Sequence, residues 1–205
     1  MFKNREEAGR LLANRLGHLK GKNIVVLAIP RGGVVVGKIL SQNLGCPLDV
    51  LVVKKVGAPG NPELAVGAMG PDEVVVWNFD ILRSLGLTPE DLNEEIQNLK
   101  VKIQNYLEKF KTGKLDLKGK TVILTDDGIA TGATTEAAIA WIKRQEPAKI
   151  VLAVPVAPPE TVGKFKNLVD ELIVLETPAF FGAVGQFYEE FPQVEDEEVI
   201  QLLRG

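Results

Sequence analysis

Five short apolar runs, each followed or preceded by helix-compatible sequence, limit what this chain can fold into more than any other feature. They are Ile24–Ile29 (IVVLAI), Val50–Val53, Thr121–Thr125, Lys149–Val154 and Leu172–Leu175. The first runs without polar alternation, as does a strand buried on both faces of a parallel sheet. Strands alternating with helices in this way imply right-handed crossovers and an α/β, doubly wound, mainly parallel sheet. Helices are expected over residues 4–19, where Ala8, Leu11, Leu12, Leu16 and Leu19 share one stripe, and over 34–43, 134–144, 158–166 and 197–203.

Between the second and third runs the pattern changes. Residues 54–63 (KKVGAPGNPE) carry two glycines and two prolines and read as a loop. Leu64–Met69 and Val74–Trp77 flank Gly70-Pro71-Asp72 and read as a hairpin. Thr88-Pro89-Glu90 is a helix start, with a helix expected to about Phe110 and a solvated charged face. No repeat or linker interrupts residues 1–205, so one domain is expected. Within it lie a hairpin at about 54–77, a helical insert at about 78–113 and an aromatic, acidic C-terminal segment at about 177–205.

Composition excludes several classes of function. The net charge of −3 disfavours nucleic acid as a partner. A single cysteine, Cys46, rules out an internal disulfide and reads as a small, inert side chain. The single histidine, His18, lies near a helix end and reads as a surface residue, which disfavours histidine acid/base chemistry. No run approaches the roughly 20 apolar residues of a membrane span, and the charged start is no signal peptide. A cytoplasmic location is expected.

Chemistry concentrates at Val122–Thr134, VILTDDGIATGAT. Open parallel sheets bind ligands beyond the carboxyl ends of their strands. Asp126 and Asp127 stand at such an end, where they can accept hydrogen bonds from vicinal hydroxyls such as those of a ribose. The turn Ala130-Thr131-Gly132-Ala133-Thr134 offers converging N–H groups, two hydroxyls and a helix N-terminus, donors suited to a phosphate. An acidic turn with a threonine N-cap is the alternative reading. Neither common nucleotide loop, G-x-x-x-x-G-K-[ST] or G-x-G-x-x-G, is present.

Two further strand ends carry basic or glycine-rich residues. Pro30-Arg31-Gly32-Gly33 exposes N–H groups beside a guanidinium, or is an ordinary strand-to-helix turn. Lys54 and Lys55 end the second run, as anion ligands or as a solvated pair. Phe180 and Phe181, in a glycine-rich tail segment, suit either core packing or stacking on a planar base.

The string VILTDDGIATGAT resembles the phosphoribosyl-diphosphate motif of type I phosphoribosyltransferases, and the resemblance extends over roughly residues 20–190. It implies a Rossmann-like core with a flexible hairpin and a C-terminal hood over the nucleobase. It implies transfer of the 5-phosphoribosyl group of phosphoribosyl diphosphate to a nitrogen acceptor, a nucleobase, with pyrophosphate leaving, as in nucleotide salvage. Asp126, Asp127 and Lys54 would then stand at the reacting centre, the acids on the ribose hydroxyls. Ala130–Thr134 would hold the 5′-phosphate, and Arg31, Gly32, Gly33, Lys54 and Lys55 the diphosphate. Phe180 and Phe181 would face the base. Mg²⁺ would be held mainly by the ligand's phosphates, with Asp126 and Asp127 as the candidate protein ligands, and the protein would be a homodimer.

One departure matters. Ala130 stands where 6-oxopurine enzymes of the family carry an aspartate, which argues against hypoxanthine or guanine as acceptor. Glu189 and Glu190 are the candidates for the missing acid/base. The competing expectation is a non-catalytic sensor of phosphoribosyl diphosphate or nucleotide on the same fold.

Overall fold

The computed structural model describes residues 1–112 and 115–204. Residue 113, at the end of the expected insert, and residue 205, at the end of the expected hood, lie outside the described residues.

Five parallel strands form the main sheet: β1 (Ile24–Ala28), β2 (Leu48–Val50), β6 (Thr121–Thr125), β7 (Lys149–Val156) and β8 (Glu171–Glu176), in the order β2-β1-β6-β7-β8. Three further strands, β3 (Lys54–Ala58), β4 (Asn61–Met69) and β5 (Val75–Trp77), make a separate antiparallel sheet. Successive side chains of a strand point to opposite faces, and both faces here are apolar. Val25, Leu27, Val122, Leu124, Leu152 and Val154 pack under α5 (Ala133–Arg144) and α6 (Pro159–Phe165). Val26, Ile123, Val151 and Ala153 pack against α1 (Arg5–Arg15) and α2 (Gly32–Leu44). That is the doubly wound arrangement expected from the unbroken apolar runs. The helices α3 (Phe79–Leu85), α4 (Asn93–Phe110) and α7 (Asp196–Arg204) contribute to a second apolar cluster with the small sheet, built on Val56, Val66, Met69, Leu82, Ile103 and Val199.

The connection after β1 runs through α2 on one face, and that after β6 through α5 on the other. The two strands are neighbours, with Ala28 opposite Thr125. Their diverging connections open a crevice at the carboxyl end of the sheet, the place where such sheets bind ligands.

Several expectations are corrected. The second strand is Leu48–Val50, not 50–53. Leu51–Val53 are buried beyond the last paired residue of β1, and burial alone does not distinguish a cleft floor from a strand. Residues 54–63 are not a loop. Pro59-Gly60 forms the turn between β3 and β4, with Gly60 at φ +76°, and register shifts at Val56/Gly57 and Gly57/Ala58 mark bulges. The glycines and prolines that suggested a loop serve the bulge and the tight turn of a ribbon. The hairpin around Gly70-Pro71-Asp72 is present as β4 and β5, with Met69 opposite Val75. The insert holds a helix that periodicity did not reveal, α3, capped by Asn78 and stopped by Gly86 at φ +66°. The helix expected from Thr88 begins as a 3-10 turn, Pro89–Leu92, before α4. Helix α2 starts at Gly32, so Gly32 and Gly33 form its first turn.

Candidate functional site

Two strand ends build the site. Ile29 donates its N–H to the carbonyl of Thr125 at 2.9 Å, which joins the exits of β1 and β6. Beyond this point the chain passes through Pro30-Arg31, whose peptide bond is cis, and enters α2. The first turn of α2 lies against the acidic pair. A Cβ on Gly33 would stand 2.8 Å from Asp126 Cα, and one on Gly32 1.8 Å from Asp127 Oδ2. Only glycine allows helix and carboxylates to approach so closely.

The pair is folded tightly on itself. Asp127 donates its N–H to Asp126 Oδ1 at 2.8 Å. Burial pushes the Asp126 carboxyl well above the ordinary carboxylate range, and the charge of Asp127 adds to the effect. Asp127 has stronger company. Its Oδ2 accepts from Arg5 Nε at 2.8 Å, and its carbonyl accepts from the Tyr188 hydroxyl at 2.6 Å. Burial raises the Tyr188 pKa, reinforced by the charge of Asp127, so the phenol remains a donor at neutral pH.

After the acids, Ile129 N–H bonds to Val156 O at 2.9 Å and Thr161 Oγ1 donates to Ala130 O at 2.7 Å, fixing the loop at both sides. Gly132 is the N-cap of α5 in the left-handed region, φ +77°, and makes no side-chain cap bond. A Cβ there would meet Phe165 at 2.6 Å. The threonine N-cap of the alternative reading is therefore not formed. Instead the first N–H groups of α5, which a helix cannot satisfy internally, open beside Thr134.

A cleft of about 530 Å³ gathers Arg31, Lys54, Lys55, Asp126, Thr134 and Tyr106. Lys54 Nζ lies 5.0 Å from the ring centroid of Tyr106. Burial lowers the Lys54 pKa, helped by Lys102. Arg31 Nη1 lies 3.6 Å from Asp196 Oδ1, at the start of α7. Gly32, Gly33 and Asp127 are not among the residues lining this cleft. Thr131 and Ala133 face another cavity, of about 810 Å³, between α5 and the small sheet. Phe180 and Phe181 line neither cavity: Phe180 is 93% exposed, and Phe181 stacks on Phe187 with centroids 5.0 Å apart. Glu189 and Glu190 are exposed, and their N–H groups bond to Phe2 O and Lys3 O. His18 is exposed and lies 3.0 Å from Glu171.

Sequence reasoning missed Arg5, and it read Tyr188 only as the end of the aromatic segment from Phe180, not as a partner of Asp127. Arg5 gave no signal, because an arginine in the first turn of an amphipathic helix reads as solvated. It is in fact only 6% exposed. Among the described residues no group of three or more His, Cys, Asp or Glu converges on a possible metal position. No helix among those described is long and apolar enough to cross a membrane.

The model of the phosphoribosyl transferase domain family matches residues 3–191. The chain is 44% identical over 205 residues to the Mycobacterium tuberculosis (strain H37Rv) protein named "Putative phosphoribosyl transferase Rv0571c", covering 99% of this chain and 46% of that protein. It thus spans about half the length of the curated relatives it matches. The crystal structure of TT1426 from Thermus thermophilus superposes with a TM-score of 0.92 at 41% identity, covering 99% of this chain and 97% of that one. The AQ2163 protein of Aquifex aeolicus shares the fold, with a TM-score of 0.52 at 16% identity over 84% of this chain and 72% of that one.

Proposed function

Because this chain belongs to the phosphoribosyl transferase domain family, we propose that it transfers the 5-phosphoribosyl group of phosphoribosyl diphosphate to a nitrogen acceptor, with pyrophosphate leaving. The observation that carries this is the cleft itself, where Arg31, Lys54 and Lys55 meet Asp126 and the N-terminal turn of α5. Three cations suit a diphosphate, the helix N-terminus suits a phosphate monoester, and a carboxylate suits the hydroxyls between them.

In the reaction the bond from the anomeric carbon to the diphosphate oxygen breaks and a bond to the acceptor nitrogen forms. Negative charge grows on the departing diphosphate, and the acceptor's N–H proton passes to that group or to water. On this reading Arg31, Lys54 and Lys55, the cations of the cleft, would neutralise that charge. Asp126, pressed against Gly33, would fix the pentose for in-line displacement. Mg²⁺, when bound through the phosphates, would neutralise the leaving group further, as suits an ion that keeps oxygen ligands and water.

The test is pyrophosphate release from phosphoribosyl diphosphate and Mg²⁺ across a panel of nucleobases and other nitrogen acceptors. Turnover of one acceptor, abolished by Asp126→Asn combined with Asp127→Asn, is the expected result. Activity that survives this double change would refute the site. Tight binding of phosphoribosyl diphosphate with no acceptor turned over would favour the sensor instead.

A further inference from the structure

We propose that Arg5 and Tyr188 are positioning residues of this site: together they clamp Asp127 so that the acidic pair holds the geometry its ligand requires. The inference deepens the phosphoribosyl-diphosphate reading and rests on it.

Asp127 is gripped at two points from opposite ends of the chain. Its carboxylate takes a hydrogen bond from Arg5 Nε, and its carbonyl takes one from the Tyr188 hydroxyl. Arg5 is locked in turn. Its Nη1 donates to Pro192 O at 2.8 Å, and its guanidinium lies 3.8 Å from the centroid of the Phe191 ring. Tyr188 packs against two rings, Phe2 at 5.4 Å and Phe191 at 4.9 Å between centroids. The termini that deliver the two residues are themselves paired: Phe2 N–H bonds to Phe187 O at 2.8 Å and Glu189 N–H to Phe2 O at 2.9 Å.

The brace is costly to leave incomplete. An arginine 6% exposed, facing no carboxylate, would be a buried charge without compensation. Equally, an unpaired Asp127 would repel Asp126 at the preceding position. With Arg5 in place, Asp127 is fixed in one orientation against Gly32, whose missing side chain leaves room for Oδ2. Asp126, which accepts the Asp127 N–H, then inherits a fixed direction into the cleft. The C-terminal segment expected to cover a base thus supports the pentose end of the site through Tyr188, Phe191 and Pro192.

The test is a double-mutant cycle read by calorimetric titration with phosphoribosyl diphosphate and Mg²⁺, alongside circular dichroism. Arg5→Met should weaken binding on the order of tenfold, Arg5→Lys by less, and Tyr188→Phe, which removes one hydroxyl, by several-fold. In an Asp127→Asn background the Arg5→Met effect should shrink to about twofold, because contacting residues couple. A purely structural arginine would weaken binding equally in both backgrounds, and that additivity would overturn the proposal. So would unchanged binding in both Arg5→Lys and Tyr188→Phe. If Arg5→Met does not fold, Arg5→Lys takes its place in the cycle. A wild-type protein that does not bind the ligand at all sinks the functional reading, and this inference with it; wild-type binding with an additive cycle sinks this inference alone.

Discussion

Gly33→Ala should destabilise the protein, although alanine in place of a helical glycine ordinarily stabilises. Gly33 is the second residue of α2, where the ordinary change is a gain of up to ~1 kcal/mol. Here the new methyl would lie 2.8 Å from Asp126 Cα and 3.2 Å from Thr125 O, both main-chain atoms at the end of a central strand. Those atoms cannot swing aside as a side-chain tip can. Forcing one methylene into such a contact costs about 1–3 kcal/mol, so the net loss is on the order of 1–2 kcal/mol. For a chain of this size that corresponds to a fall in Tm of about 2–8 °C. Because the displaced atoms belong to the acidic pair, affinity for phosphoribosyl diphosphate should fall as well. Gly163→Ala in α6 is the control, since a Cβ there meets nothing within 4 Å. It should raise Tm and leave binding alone. Thermal melts of both variants, followed by titration calorimetry, check the argument. If Gly33→Ala raised Tm as Gly163→Ala does, the close packing of helix on carboxylates would be refuted.

Asp126→Asn should stabilise the protein near neutral pH while weakening ligand binding. A folded-state pKa above the unfolded value means that the folded protein holds the extra proton, so wild-type stability declines as pH rises from about 4 toward the raised pKa. The gain from the asparagine should vanish below pH 4 in melts across a pH series. Gly132→Ala places a side chain at φ +77° and 2.6 Å from Phe165, and a loss of about 2–4 kcal/mol is expected in urea titration. Cys46, its thiol pushed up to about 11 by burial, should react with iodoacetamide far more slowly at pH 8 than a free thiol does, by mass spectrometry against a peptide standard.

The parts of the fold and site that were legible in the sequence are those set by neighbours along the chain. A buried parallel strand shows as an unbroken apolar run, and the turn after it shows its acids, glycines and threonines in order. Hence the loop 126–134 and the main sheet, apart from the bounds of β2, could be read directly. The insert was harder. A bulged ribbon and a structureless loop use the same glycines and prolines, so β3 went unseen, and the seven-residue α3 is too short for periodicity to mark.

What the sequence by itself determined was the α/β layering and the acidic, glycine- and threonine-bearing turn, because unbroken apolar runs and turn chemistry are set by neighbours along the chain. Only the tertiary structure decided which groups share the cleft and what holds Asp127. Arg5 and Tyr188 reach that residue across separations of 122 and 61 positions. Over such distances the partner is chosen by packing of whole elements, and burial turns an arginine that reads as solvated into the counter-charge of the site.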